Sequence, residues 1–216
     1  MSNLARGERE RLARLLAAAG PDAPTLCAGW TTRDLAAHLV LRERRVDAAA
    51  GIRIKALAGW TARVQADFAA RPYEELLRLF RSGPPRLSPF GTSRLDELGN
   101  TLEYFVHAED VRRAVPGWEP QPVPDDVARL LWRRVPLAVR MEGAGRAPVR
   151  LELRDPQGQL AEGPRRDAPT VRVTGEPGEL VLWALGRGAQ SLVDVQGPPQ
   201  ALTALARAVP LPERRP

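Results

Sequence analysis

Along the first 140 or so residues the apolar positions recur every three or four, the period of an amphipathic helix; beyond about residue 143 they begin to alternate. Leu4, Leu12, Leu15 and Leu16 share one face of a first helix, capped by Ser2 or Asn3 and stopped near Ala19 by Gly20-Pro21. A loop containing Pro and Gly leads to Trp30. Thr31 or Thr32 then caps a second helix that runs past Arg45, and Thr31 with Asp34 three residues later resembles a capping box. Its apolar stripe is Leu35, Leu39 and Val46, with His38 at the border, in line with Asp34 and Arg42. The pattern weakens from Gly51 to Gly59. Two shorter helices follow over Thr61 to Ala70 and Pro72 to Arg81, Pro72 suiting a first helical turn, and Gly83-Pro84-Pro85 ends them. Thr92 or Ser93 caps a long helix whose core stripe is Leu95, Leu98, Leu102 and Val106; Glu103, His107 and Asp110 form the adjacent ridge.

A Pro-rich connection from Pro116 to Pro124 precedes a helix from Asp125 to about Glu142, with Val127, Leu130, Leu131 and Val135 inward and Pro136 as a kink. Then the period changes. Residues 149–154 alternate as a strand, Asp155 to Gly158 is a turn, and Thr170 to Thr174 is a second short strand. Helix returns at Glu179 to Leu185, followed by a strand at Leu192 to Val195 and a helix from Gln200 to Val209. The expectation is an α+β chain of two domains, a helical bundle over residues 1–142 and a small α+β domain over 143–216.

With 216 residues the chain is long enough to bury a sizeable core. No apolar run approaches the ~20 residues needed to cross a bilayer, which argues against a membrane partner. Met1 to Arg14 carries charges throughout, unlike a secretion signal, so a cytoplasmic location is expected. The net charge of +6 raises the question of nucleic acid, but acids interleave with the bases along the whole chain and no basic patch stands out. Lys55 is the only lysine among 32 basic residues, which reads as coding bias more than as a binding face. The oligomeric state is left open.

The imidazole chemistry is confined to His38 and His107. Glu103 and His107, four apart, meet on one helix face, and packing of that helix against the second one is expected to bring His38 to them. Two histidines and one carboxylate are the ligand count of a metal site with positions left for water or substrate. A hydrogen-bonded structural histidine is the competing reading for His38. Asp110, one turn beyond His107, and Asp34, one turn before His38, are candidates to orient the second nitrogen of each ring. The alternatives are that Asp34 complements the helix N-terminus and that Asp110 pairs with an arginine such as Arg113. Cys27, the only cysteine, rules out an internal disulfide and a cage of thiolates alone; it reads as a small buried hydrophobe, with a redox thiol or fourth metal ligand as the alternative.

The run from Leu26 to His38, LCAGWTTRDLAAH, together with Glu103 to His107, EYFVH, resembles the mycothiol-dependent maleylpyruvate isomerase family, within the DinB-like metal-binding four-helix bundles. The resemblance covers nearly the whole chain. It implies a divalent metal, usually zinc, held by His38, Glu103 and His107, and a C-terminal domain of sterol-carrier-like form, carried by the stretch from Gly175 to Arg187. Relatives often have a second histidine where this chain has Ala108, a position about 100° around the helix from His107 and so not required as a ligand. The chemistry implied is activation of a low-molecular-weight thiol, mycothiol, with an electrophilic small molecule as substrate. Isomerisation of a maleylpyruvate-like compound and transfer of the thiol both fit. A metal-stabilised module that binds an apolar ligand or a protein partner without turnover is the reading of a different class. No protein nucleophile is expected. Arg187 is a candidate for binding a substrate carboxylate, against the alternative of a helix-end cation.

Overall fold

The structure, a computed structural model, describes residues 4–52, 54–85, 93–141 and 143–212, and for Val46 and residues 93–99 it describes the backbone alone. The expected caps at Ser2, Asn3, Thr92 and Ser93, and the side chains of Val46, Leu95 and Leu98, lie outside the described residues. The chain divides into two compact units, residues 1–120 and 121–216.

In the first unit, α1 (Leu4–Ala19), α2 (Thr32–Arg44), α5 (Tyr73–Arg81) and α6 (Ser93–Arg112) make a four-helix bundle, with the short α3 (Val46–Ala49) and α4 (Ala58–Ala69) flanking α2. The helix ends follow local chemistry. Gly20 takes φ of 78° to close α1, donating its N–H to the Leu16 carbonyl at 3.2 Å. Thr31 caps α2: the Asp34 N–H donates to Thr31 Oγ1 at 3.4 Å, and Asp34 Oδ2 accepts from the Thr31 N–H at 2.9 Å. Pro72 sits one residue earlier than the first turn expected of it, as the N-cap of α5.

The bundle core is Leu12, Ala13 and Leu16 of α1, the buried run Leu35 to Leu41 of α2, Val64 and Phe68 of α4, Leu76, Leu77 and Phe80 of α5, and Tyr104, Ala108 and Val111 of α6. This differs from the stripe expected for α6. Val106 is buried outside that core cluster and Leu102 is only half-buried. Tyr104, Ala108 and Val111 also recur at helical spacing, so periodicity alone left the inward face of α6 ambiguous. Tyr104 is held in the core by polar partners: its hydroxyl accepts from Arg9 Nη2 at 2.7 Å and donates to Glu43 Oε1.

The second unit holds α7 (Asp125–Met141), α8 (Pro177–Ala184), α9 (Pro199–Ala206) and a four-stranded sheet of β1 (Arg150–Arg154), β2 (Leu160–Glu162), β3 (Thr170–Thr174) and β4 (Asp194–Gln196). The strand order is β2-β1-β3-β4, with β1 and β3 parallel at the centre and both edge pairs antiparallel. β2 was not expected. It has three residues and no clear alternation, but the tight turn at Asp155, where Gly158 has φ of 83°, folds it back onto β1 as a hairpin. The division between units precedes the change of periodicity near residue 143 because α7 packs against α8 and joins the sheet-bearing unit. Pro136 lies inside α7, as expected.

Candidate metal centre

The three expected donors come together in the first unit. His38 projects from the second turn of α2, and Glu103 and His107 stand one turn apart on α6. His38 Nε2 is 3.5 Å and His107 Nε2 3.2 Å from the same oxygen, Glu103 Oε1, and the three donor atoms lie within 4.8 Å of one another. The imidazoles are buried, at 6% and 8% exposure, and their rings meet edge to face with centroids 5.6 Å apart. Trp30, at the foot of α2, lies 5.0 Å from the His38 ring on another side.

Asp110 orients His107. Its Oδ2 accepts from His107 Nδ1 at 2.9 Å, which fixes the ring so that Nε2 faces Glu103. The carboxylate is fully buried, and the Asp110 backbone carbonyl also accepts the Leu26 N–H at 3.0 Å. That second bond ties the loop before α2 to α6. As a result Cys27 is carried to the site: its thiol donates to Asp110 Oδ2 at 3.3 Å and lies 3.8 Å from His107 Nδ1. The reading of Cys27 as a buried hydrophobe is therefore corrected, since the thiol is half-buried and engaged with polar partners. Cys27, His107 and Asp110 form a second cluster of ligating groups, already joined by hydrogen bonds among themselves.

Asp34 does not orient His38. Its carboxylate accepts from the Thr31 N–H and, at 2.8 Å, from Thr31 Oγ1, so it serves the helix cap. Arg42, one turn beyond His38, is a site residue that the sequence reading gave no role. Its Nε lies 3.5 Å from Glu103 Oε1, and its Nη1 donates to Asn100 Oδ1 one turn before Glu103. The signal was present in the i, i+4 spacing of His38 and Arg42, which places both on the face of α2 turned to α6. Arg187 lies in the second unit and donates to the Leu185 carbonyl at 2.7 Å, the contact of a helix-end cation.

The electrostatics favour an ionised carboxylate between two rings. Burial raises the Glu103 pKa, but Arg42 and the two histidines outweigh it and hold it well below the usual carboxylate range. Burial of His107 disfavours its charge, yet Asp110, Cys27 and Glu103 together keep its pKa well above the usual imidazole value. Two imidazole nitrogens and one carboxylate oxygen, with one ring already oriented from behind, are a donor set that fits a divalent ion such as zinc.

The family model of the mycothiol maleylpyruvate isomerase N-terminal domain matches residues 5–136. The chain belongs to this family. Two solved structures of a mycothiol-dependent maleylpyruvate isomerase, one of them a histidine-to-alanine mutant, each share the fold with a TM-score of 0.57 at 19% identity, over 90% of this chain and 90% of theirs. No curated protein matches the chain. The mycothiol maleylpyruvate isomerase N-terminal domain match spans the whole bundle and reaches into α7, so it includes every donor of the candidate centre. Ala108, next to His107 on α6, is fully buried in the bundle core.

Proposed function

We propose that the protein is a metal-dependent enzyme that uses a low-molecular-weight thiol, mycothiol first among candidates, to isomerise a maleylpyruvate-like substrate or to transfer the thiol to an electrophile. The observation that carries this reading is the convergence of His38, Glu103 and His107 from two helices within 4.8 Å, in a chain whose bundle matches the mycothiol maleylpyruvate isomerase domain. Zinc is the leading metal and the cytoplasm the proposed location.

His38 and His107 each offer a ring nitrogen and Glu103 one charged oxygen, a bound metal taking the place of the proton on His107 Nε2, and Asp110 keeps His107 turned toward the other two. A divalent ion held by these three supplies a Lewis acid beside which an external thiol exists as its thiolate. Added to one carbon of an activated cis double bond, the thiol leaves a single bond that can rotate, and its departure restores the double bond in the trans form with no net consumption of thiol. Trp30 packs beside His38 and both imidazoles are buried, while the Glu103 side chain keeps 28% exposure. No side chain of the protein is required as nucleophile. Cys27 has its thiol on Asp110, and a serine there can donate to the same oxygen.

Metal analysis of the purified protein is expected to give one divalent ion per chain, reduced at least tenfold in His38→Ala and His107→Ala; undiminished metal in both variants removes the site. Maleylpyruvate isomerisation and conjugation of electrophiles, assayed with and without mycothiol, should depend on the thiol, persist in Cys27→Ser and disappear in Glu103→Ala. Turnover that needs Cys27 and no added thiol overturns the reading. Metal binding without any thiol binding favours a non-catalytic module.

A further inference from the structure

Arg42 is a fixed cation against the one charged donor of the centre. Its Nε is 3.5 Å from Glu103 Oε1, the oxygen that both histidine nitrogens also face, and its side chain is only 14% exposed. The hydrogen bond from Nη1 to Asn100, itself fully buried, holds the guanidinium in place along α6. A carboxylate ligand ordinarily weakens the positive field that a dication presents to its remaining ligands. Here an arginine of equal and opposite charge sits beside that carboxylate, whose side chain is 28% exposed, so the pair is partly but not fully screened by water. Asp110 adds a second negative charge behind His107, so without Arg42 the two carboxylates would together cancel the charge of a dication, and Arg42 restores a net positive charge at the centre.

We propose that Arg42 sets the ligand preference of the centre, offsetting the charge of Glu103 so that the open positions favour anionic ligands, thiolates and carboxylates, over neutral ones. This rests on the metal-site reading above. It has a consequence opposite in sign to that of a purely structural arginine. Loss of the positive charge should tighten the hold on a dication, by removing a repulsion, while weakening the hold on an anion at the same centre. Loss of a structural prop would weaken both.

The experiment loads apo-protein with cobalt(II) and follows its visible absorption, first for cobalt affinity, then for binding of azide as the anionic probe and imidazole as the neutral one. Arg42→Gln is expected to bind cobalt(II) as tightly as wild type or several-fold more tightly, and azide about tenfold more weakly, with imidazole affinity within about twofold. Arg42→Lys, which keeps the charge and loses the planar fork, should restore most of the azide preference; it also carries the test if Arg42→Gln does not fold. Equal losses for azide and imidazole, looser cobalt binding in Arg42→Gln, or no difference between the Gln and Lys variants would each overturn the assignment. Wild-type protein that binds no cobalt(II) at the three donors would sink the metal reading itself, and this inference with it.

Discussion

At the scale of single residues, the candidate centre depends on side chains that act at one remove from the donors. Asp110 is the clearest case, because its hydrogen bond decides which nitrogen of His107 faces Glu103. Asp110→Asn should lower metal affinity by roughly 10–100-fold while the fold is kept, measured by competition with a chelator of known affinity. Asp34→Asn, on the cap of α2, should leave metal affinity unchanged; if it lowers that affinity as much as Asp110→Asn does, the distinction between the two aspartates fails. The convergence of the three candidate donors was legible in the sequence, because Glu103 and His107 are four apart and only His38 remained to complete a set. The place of Cys27 was not legible. It depends on the Leu26 N–H reaching the Asp110 carbonyl across 84 positions of sequence, and no local pattern encodes a contact between a loop and a distant helix.

At the scale of elements, what could be read was whatever short-range chemistry decides. The capping box at Thr31 and the Gly20-Pro21 stop both take the expected positions, since each is a contact among near neighbours. The inward face of α6 was misread because apolar residues lie on more than one side of it, and tertiary packing selects among them. The second helix also stops at Arg44, short of the expected run past Arg45, and the chain restarts as α3 at Val46. β2 escaped notice because three residues give too few alternations to count. The cap of α2 can be tested apart from the chemistry of His38 about two turns away. Thr31→Ala should cost about 1 kcal/mol, seen as a fall of about 3 °C in Tm, with one metal still bound per chain. Loss of the metal at normal stability would mean that Thr31 shapes the centre directly.

At the scale of the whole molecule, the α+β expectation holds, and the chain divides after residue 120, earlier than the change of period, because α7 belongs by its packing to the sheet-bearing unit. Among the described residues no helix is long and apolar enough to cross a membrane. The excess of basic residues has a structural use within the first unit. Buried Glu109 on α6 gathers Arg11 of α1 at 2.6 Å, Arg113 at 2.6 Å and Arg112, so one carboxylate joins two helices and holds three cations. Burial raises the Glu109 pKa, but the arginines outweigh it and bring the group down to about 2. A carboxyl group held below its unfolded value of 4.5 stabilises the folded state fully above that pH, and the contribution is lost as pH falls toward about 2. The size is on the order of 3 kcal/mol. Urea unfolding at pH 7 should therefore show Glu109→Gln less stable than wild type by a few kcal/mol, and the gap should close steadily between about pH 4.5 and pH 2 as the wild-type carboxylate takes up its proton. A gap that stays constant over that window would show that Glu109 acts through packing, with its charge contributing nothing to stability.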